Sequence, residues 1–254
     1  GVRFMTGIHP DAELAPRDVV ARSVFAMNEQ GRQVLLDATG IADLPTRFPG
    51  AFALAGVAGL DPTRQALPVA TAAHFHMGGI ATDPRGATSL AGLWACGELA
   101  ATGLHGGNRL ASNSLLEGLV FGERIARAIR AANLPPPRGS LEVPRRLRAP
   151  GTDMQRFLLL RHLVGRSLGP LRSGASMIAA MHRLNAWDSA SRAEDDLVLI
   201  AGKLLHAALR RRESRGAHQR SDYPQAAAGA PAHSFLRPEP APVVTLELLR
   251  SHVA

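Results

Sequence analysis

The sequence is poor in several residue types, and each shortage excludes a class of protein. Cys96 is the single cysteine, so the chain forms no internal disulfide, and no cysteine and histidine cluster has the spacing of a zinc site. Aromatic residues make up only 4% of the chain, which leaves few groups to stack on bases. No uninterrupted apolar run reaches the length of about 18 residues that a membrane-spanning helix needs.

Lysine is almost absent too, although the chain is strongly basic. The 29 basic residues include one lysine, Lys203, and the formal net charge is +8. Such a charge suits a polyanion binder, but arginine-, alanine- and proline-rich usage is also what a GC-rich coding sequence gives. Without aromatic interleaving or a helix-turn-helix pattern, we expect no nucleic-acid partner. The first residues lack a signal-peptide pattern, so we also expect a cytoplasmic protein with no membrane partner.

Hydrophobic residues make up 46% of the chain, which is enough to form a buried core. Hydrophobic periodicity predicts helices over 15–30, 49–60 and 112–132. It also predicts a short strand at 33–39, an extended segment over 68–80 and a buried strand at 93–96. Five prolines and several arginines at 135–150 predict a linker. Three helical stretches follow near 153–168, 172–187 and 189–212 and predict a small antiparallel bundle. A loosely packed tail is expected last, with a strand or short helix at 243–249.

The most informative stretch runs from Gly103 to Gly118 and reads GLHGGNRLASNSLLEG. Its glycines allow close approach of the backbone to another group. His105 and Arg109 offer charge and hydrogen bonds, and Ser112, Asn113 and Ser114 are predicted to cap the helix that follows. The N-terminus of this helix carries partial positive charge and follows the glycines and Arg109. The stretch is therefore predicted to bind an anion or an electron-rich ring.

This stretch, read with GLWACGE at 92–98, resembles the succinate dehydrogenase/fumarate reductase flavoprotein family. HGGNRL at 105–110 is similar to the whole family, while TGLH at 102–105 and ASNSLLE at 111–117 are most similar to its L-aspartate oxidase branch. Further similar segments occur in order at 13–22, 72–80 and 212–224. Ordered matches over roughly the first 224 residues argue against a chance resemblance.

The resemblance implies an α/β fold in several parts. Residues 1–76 correspond to the C-terminal part of an α+β substrate-capping domain, and 77–134 to the C-terminal part of a Rossmann-like FAD-binding domain. The linker at 135–150, a helical C-terminal domain at 151–224 and a tail at 225–254 follow. No G-x-G-x-x-G fingerprint follows a predicted strand, and Gly1 begins what is similar to mid-protein sequence. We therefore expect the family's N-terminal dinucleotide-binding segment to be lacking here.

The activity that the resemblance implies is FAD-dependent oxidation of L-aspartate to iminoaspartate, by hydride transfer from C2 to flavin N5. Oxygen or fumarate would reoxidise the FAD. In the family this is the first step of NAD synthesis through quinolinate, with possible hand-over of the product to quinolinate synthase. Two alternatives stay open: a succinate dehydrogenase or fumarate reductase flavoprotein, whose branch usually has glycine where Ala111 or Ser112 stands, and an inactive truncated fragment.

Arg17 and His74 have a plain structural interpretation beside the functional one. From the residues alone, Arg17 is a surface arginine paired with Glu13 or Asp18, and His74 is a satisfied structural group on a strand. The resemblance instead implies that Arg17 is the catalytic residue in proton transfer. It also implies that His74 binds a substrate carboxylate, for which an imidazolium is suited.

Arg109 is the strongest candidate, because a guanidinium among glycine, asparagine and serine has no evident structural explanation. Its fork of donors matches a carboxylate bidentately, and the resemblance makes it the substrate-carboxylate clamp. His105 either lines the same substrate pocket or orients the loop. Cys96 is interpreted as a small core residue.

The resemblance also supplies candidate cofactor contacts. Glu98 either caps a helix or accepts hydrogen bonds from the ribityl or ribose hydroxyls of FAD. The backbone at Ser114 and Leu115 would meet the pyrimidine edge of the flavin, where the positive helix end matches negative charge on reduced flavin. The charged segment 212–218 would pack back toward the active-site domain.

Overall fold

The computed structural model describes residues 1–132, 134, 153–238 and 244–250. The predicted linker at 135–150 lies outside these residues. The helices of the described part are α1 (Arg17–Glu29), α2 (Leu44–Arg47), α3 (Pro49–Val57), α4 (Asn113–Ala131), α5 (Met154–Ser167), α6 (Gly174–Asn185) and α7 (Arg192–Arg210). The strands are β1 (Val34–Leu36), β2 (Leu67–Val69), β3 (Ile80–Ala81), β4 (Ala100–Ala101), β5 (Ala232–Pro238) and β6 (Val244–Arg250). Contacts divide the chain into two compact units, 1–72 and 73–254.

The first unit combines the predicted helix α1 with a two-stranded antiparallel sheet. Pro16 stands at the N-cap position of α1, where its lack of an N–H costs nothing. Strands β1 and β2 pair Val34 with Val69 and Leu36 with Leu67. The apolar positions predicted to face the core from α1 are only half-buried. The buried apolar side chains of this unit are instead spread over several segments: Met5, Ala15, Val34, Ala38, Leu44 and Ala55.

The second unit opens with a short parallel pair, in which Ile80 of β3 lies opposite Ala100 of β4. The predicted buried strand at 93–96 is wrong, because this segment forms only an isolated bridge between Trp94 and Ala87. The side chain of Asp83 accepts hydrogen bonds from the backbone N–H groups of Arg85 and Ala87. This local turn takes up backbone groups that a longer strand pairing would use.

Helix α4 has its predicted extent, but most of its apolar face is exposed in the described structure. Leu115, Leu116 and Leu119 are between 61 and 75% exposed. The face that is buried carries Glu117 and Phe121 instead. These two residues are four positions apart and therefore share one side of the helix. The second unit consequently holds α4 by a face that contains a carboxylate and presents leucines outward.

Helices α5, α6 and α7 form the predicted bundle. The side chains of Ser173 and Ser191 accept hydrogen bonds from backbone N–H groups in the first turns of α6 and α7, which fixes where these helices begin. Apolar residues from all three helices form the core of the bundle: Leu160, Met177, Ala180, Leu184, Ala201, Leu205 and Ala208. None of the helices described is long and apolar enough to cross a membrane. Beyond the bundle, β5 and β6 pair as an antiparallel hairpin, so a strand does form in the tail.

Arg220 ties the end of α7 to the start of α6. Its buried guanidinium donates hydrogen bonds to the carbonyl oxygens of Ala208, Leu209 and Arg211, which end α7. It also pairs with Asp222, and this guanidinium holds the pKa of the Asp222 carboxyl well below its usual range. Asp222 in turn accepts from the backbone N–H of Gly174, at the positive end of α6. One side chain thereby satisfies carbonyls that a helix end leaves unpaired.

Candidate functional site

A buried carboxylate forms the base of the site in the second unit. Glu117 accepts a hydrogen bond from the hydroxyl of Thr102, and its Oε2 lies 2.7 Å from Nε2 of His105. The side chains of His105 and Glu117 are 6% and 1% exposed. Helix α4 supplies the carboxylate, and the glycine-containing loop before it supplies the other two groups. The loop is therefore held against the helix by side-chain hydrogen bonds.

Phe75 joins His105 to Arg109. The His105 ring stands edge-on to the Phe75 ring, with the two centroids 5.1 Å apart and the planes at 83°. The Arg109 guanidinium lies over the Phe75 ring, with Cζ 4.7 Å from its centroid. Both contacts are of the kind that an aromatic quadrupole favours. Two sequence-predicted substrate residues are thus brought to one aromatic ring.

Arg109 has hydrogen-bonding capacity to spare. Its Nη1 donates a long bond of 3.4 Å to the carbonyl oxygen of Leu110. The buried Nε of Arg109 and Nδ1 of His105 have no hydrogen-bond partner among the described residues. Buried polar atoms are nearly always paired in a finished site. Two orphaned atoms around one ring indicate a position where a polar ligand completes the hydrogen bonding.

The loop that carries His105 and Arg109 is also held from the C-terminal side. The backbone N–H of Ala217 donates to the carbonyl oxygen of Gly107 at 2.7 Å. Gly216 has φ +58°, and a Cβ there would lie 2.1 Å from the same oxygen. As the sequence predicted, the segment 212–218 packs onto this loop, and it does so through a contact that only glycine permits.

The candidate cofactor residues have features that fit a flavin nucleotide. Ser112 stands at the N-cap of α4 with φ +65°, but its side chain makes no capping hydrogen bond, so the predicted serine cap is wrong. The backbone N–H groups of Ser114 and Leu115 in the first turn are therefore left for another acceptor. Glu98 accepts from the backbone N–H of His76 through Oε1 and remains exposed. An uncapped helix start and an exposed carboxylate acceptor match the contacts that the resemblance implies.

Arg17 lies at the first position of α1, in the first unit. Its Nη2 donates to the carbonyl oxygens of Glu13 and Ala15. The two carboxylates predicted as its structural partners are engaged elsewhere, Glu13 with Arg3 and Asp18 with Arg22. Backbone carbonyls hold the guanidinium in place without neutralising its charge.

His74 is placed differently from the prediction. It lies outside any strand, because β3 begins only at Ile80, and its side chain is exposed. It precedes Phe75 directly in the chain, which puts it next to the ring that Arg109 and His105 share. The structure thus brings together His105 and Arg109, and it leaves His74 beside them without a described partner.

Sequence reasoning missed Glu117 and Phe75. Glu117 was part of the motif, but it was not named as a site residue. The signal that could have found it is a glutamate on the face of α4 that also carries Phe121, where an apolar residue is expected. Phe75 lies between His74 and His76, and only the three-dimensional structure shows that its ring contacts both His105 and Arg109.

Comparisons with known proteins identify the family and the fold. The family described as FAD binding domain matches residues 1–115, and the family described as fumarate reductase flavoprotein C-term matches residues 180–238. Among solved structures, E. coli quinol fumarate reductase FrdA has a TM-score of 0.76 at 27% identity, covering 96% of this chain and 50% of that one. Mycobacterium smegmatis Sdh1 has a TM-score of 0.69 at 29% identity, covering 93% and 47%. The predicted α/β fold is confirmed.

The curated relatives are more similar still. L-aspartate oxidase of Rhodospirillum rubrum is 45% identical over 232 residues, which span 88% of this chain and 83% of that relative. The chain belongs to the L-aspartate oxidase family. L-aspartate oxidase of Xylella fastidiosa strain Temecula1 is 46% identical over 226 residues, 88% of this chain but 43% of that relative. The L-aspartate oxidase family is one of FAD-dependent oxidoreductases, and this chain spans less than half the length of its Xylella member.

Proposed function

We propose that this chain supplies the substrate-clamping part of an L-aspartate oxidase, which oxidises L-aspartate to iminoaspartate. The observation that carries the proposal is the pair of orphaned buried nitrogens, Nε of Arg109 and Nδ1 of His105, in two side chains that both contact the Phe75 ring. A carboxylate is the ligand that such groups fit, because it accepts from a guanidinium and from an imidazolium at once. The identity of 45–46% to L-aspartate oxidases supports aspartate as the source of that carboxylate.

Arg109 binds the substrate carboxylate, and His105 and His74 contribute further donors at the same ring. The contact with Phe75 restrains the guanidinium plane without using its hydrogen-bond donors. Restraint of this kind lowers the entropy lost when the carboxylate binds. The substrate is thereby fixed by one end, so that C2 has a single orientation.

FAD, when bound, supplies the two-electron acceptor for the oxidation. The residues that would hold it are Glu98, through a free carboxylate oxygen, and the backbone N–H groups of Ser114 and Leu115 at the uncapped start of α4. The macrodipole of α4 adds partial positive charge at the same place. The carboxylate favours sugar or ribityl hydroxyls, and the amides favour the carbonyl edge of a ring.

Arg17 is the catalytic residue of the proposal, acting in proton transfer. An arginine is a poor base because its pKa lies above about 12, so it serves as an acid or as one member of a relay. Its guanidinium is held by the carbonyl oxygens of Glu13 and Ala15 and carries its full charge. That charge also stabilises negative charge that develops on the substrate.

The electron acceptor and the pathway complete the proposal. The similarity to fumarate reductases supports fumarate, beside oxygen, as the group that reoxidises the cofactor. The product is unstable as an imine in water, which favours direct hand-over to quinolinate synthase in NAD synthesis. A succinate dehydrogenase or fumarate reductase function is less favoured, because the identity to those structures is 27–29%.

The test compares the chain alone with a chimaera in which it replaces the matching part of the Xylella fastidiosa relative. With FAD and L-aspartate supplied, we expect iminoaspartate from the chimaera and none from the chain alone, because its sequence contains no G-x-G-x-x-G motif for the FAD pyrophosphate. Succinate oxidation serves as the comparison reaction. A folded, FAD-loaded chimaera that oxidises succinate but not aspartate would reverse the order of the two candidate functions.

A further inference from the structure

Glu117 is a buried carboxylate without a permanent cation beside it. Thr102 and His105 are its partners among the described residues. The side chain is 1% exposed, and an uncompensated charge at such a position is costly. Protein cores place alanine or leucine at a helix position of this kind far more often than glutamate. The carboxylate therefore stands where an apolar residue would pack at lower cost.

The partner that compensates Glu117 is the imidazole of His105. A carboxylate whose two oxygens both accept requires a proton on Nε2 of His105, so the ring orientation is fixed by this bond. The other ring nitrogen, Nδ1, is then turned away from α4, and it is one of the two orphaned buried nitrogens. The edge contact with Phe75 restrains the same ring from a second direction.

We propose that Glu117 is a positioning residue: it accepts from Nε2 of His105 and so leaves Nδ1, in the ring that carries both protons, to donate to the dicarboxylate that Arg109 binds. Thr102 orients the carboxylate through its other oxygen. This inference rests on the proposed function and extends it from the residues that touch the ligand to the residue behind them. The chemistry requires a carboxylate at 117, because an ionised carboxylate only accepts and its charge stabilises a ring protonated on both nitrogens, whereas an amide is neutral and can donate to Nε2 instead.

Two observations separate this role from simple packing. Phe121, one turn along on the same buried face, shows that an apolar side chain is accommodated there. Glu123, also on α4, pairs with Arg127 at 2.6 Å and is largely exposed, so it provides a carboxylate with no route to the loop. Glu117→Gln and Glu123→Gln are thus the same chemical change on one helix, with and without a contact to His105.

The experiment uses the full 254-residue chain labelled with ¹⁵N at histidine, and succinate as the dicarboxylate probe. The His105 ring signals are assigned by their loss in His105→Gln. We expect Nε2 to carry a proton in the unsubstituted chain, and Nδ1 to gain one, with a shift of its signal, as succinate is added. Glu117→Gln should shift both ring signals and weaken succinate binding about tenfold or more, while Glu123→Gln changes neither. Thr102→Val should give a smaller change in the same direction.

The outcomes distinguish this inference from the proposed function. If the unsubstituted chain gives no Nδ1 response to succinate and Arg109→Lys changes nothing, the dicarboxylate clamp fails and this inference fails with it. If Arg109→Lys weakens succinate binding but Glu117→Gln leaves the binding and the His105 signals unchanged, only the positioning role is overturned. The protonation state of Nε2 in the unsubstituted chain tests the bond to Glu117 without any variant, should Glu117→Gln fold poorly.

Discussion

The backbone of Gly216 lies so close to that of Gly107 that a Cβ on Gly216 would approach the Gly107 carbonyl carbon to 2.3 Å. This contact places the end of the helical bundle against the loop that carries His105 and Arg109. The bond from the Ala217 N–H to the Gly107 oxygen, 2.7 Å long, fixes the contact. The candidate site is therefore supported by a segment about a hundred residues further along the chain.

Gly216→Ala should lower the free energy of unfolding more than a left-handed backbone alone explains. A non-glycine residue in this conformation costs about 1–2 kcal/mol, and the steric clash with Gly107 adds to it. Gly229→Ala is the matched control, because Gly229 has φ +92° but open space around its Cβ position. Urea unfolding of both variants gives the comparison. An equal decrease in the free energy of unfolding for both variants would show that the backbone at Gly107 can move away from the added methyl group at little cost.

Arg109→Lys in the chimaera should lower kcat/KM for aspartate by about a hundredfold or more, since an ammonium group cannot reproduce a forked contact with a carboxylate. The FAD content should hardly change. Arg127→Lys on α4 is the control, because Arg127 is exposed and pairs only with Glu123 in the described structure. Steady-state kinetics at varied aspartate decide the matter. Near-normal kinetics for Arg109→Lys would remove Arg109 from the site.

Arg17→Gln should abolish turnover in the chimaera while dicarboxylate binding remains detectable. The reason is that the glutamine amide can still donate hydrogen bonds to the carbonyl oxygens of Glu13 and Ala15, but it carries no charge and cannot transfer a proton. Stopped-flow measurement of flavin reduction by aspartate is the direct reading, with Arg64→Gln in the same unit as control. Reduction at the unsubstituted rate would exclude Arg17 from the chemical step.

The stability of the bundle should fall as the pH drops from about 6.5 to 4. Burial of the ring, with the nearby Arg172 charge, lowers the pKa of His218 to about 4. Its Nδ1 lies 2.8 Å from Nη1 of Arg172, and its Nε2 lies 3.0 Å from the carbonyl oxygen of Arg211. Nδ1 must accept, so the folded state needs neutral His218. The unfolded state binds more protons between the two pKa values, and stability rises with pH there and is level above.

Thermal unfolding across this pH range measures the effect. His218→Gln should flatten the profile between pH 4 and 6.5, whereas His182→Gln, at an exposed position on α6, should leave it as it was. A profile in His218→Gln that is as steep as in the unsubstituted chain would assign the pH dependence to other groups.

The outward leucines of α4 should make the isolated chain prone to association. Leu119→Ala should reduce light scattering at high concentration and change the melting temperature little, because Leu119 is 73% exposed. Leu205→Ala is the same substitution in the bundle core and should cost about 2–5 kcal/mol. Unchanged scattering in Leu119→Ala would mean that another surface drives association.

Local sequence was sufficient for most helices and insufficient for the sheets. The bundle helices could be predicted because the signals for a helix are local to each segment. These signals are the apolar periodicity and, for α6 and α7, an N-cap serine, Ser173 or Ser191. The strand predicted at 93–96 failed because a strand also needs a neighbouring edge, and Asp83 draws the preceding segment into a turn. Pairing between distant segments is not encoded in the apolar pattern of either one.

The candidate site shows the same contrast between features that are local in sequence and features that depend on distant segments. Arg109 and His105 stand in one motif and were found together. Glu117 owes its burial and its role to partners 15 and 12 residues earlier, Thr102 and His105. Phe75 comes from yet another segment. A sequence motif identifies the residues that carry charge. The residues that orient those side chains depend on packing between separate segments, which a motif does not show.

The capping of α7 by Arg220 sets where the bundle can be cut. The helix itself ends at Arg210, yet the side chain that satisfies its last carbonyls belongs to a residue ten positions beyond, whose partner Asp222 also anchors Gly174. A truncation after Arg210 would remove Arg220 and Asp222. It would leave carbonyl oxygens at the end of α7 and the backbone N–H of Gly174 in α6 without these hydrogen-bond partners. The bundle therefore needs the chain at least as far as Asp222, and the loop after α7 is a part of the fold rather than a dispensable terminus.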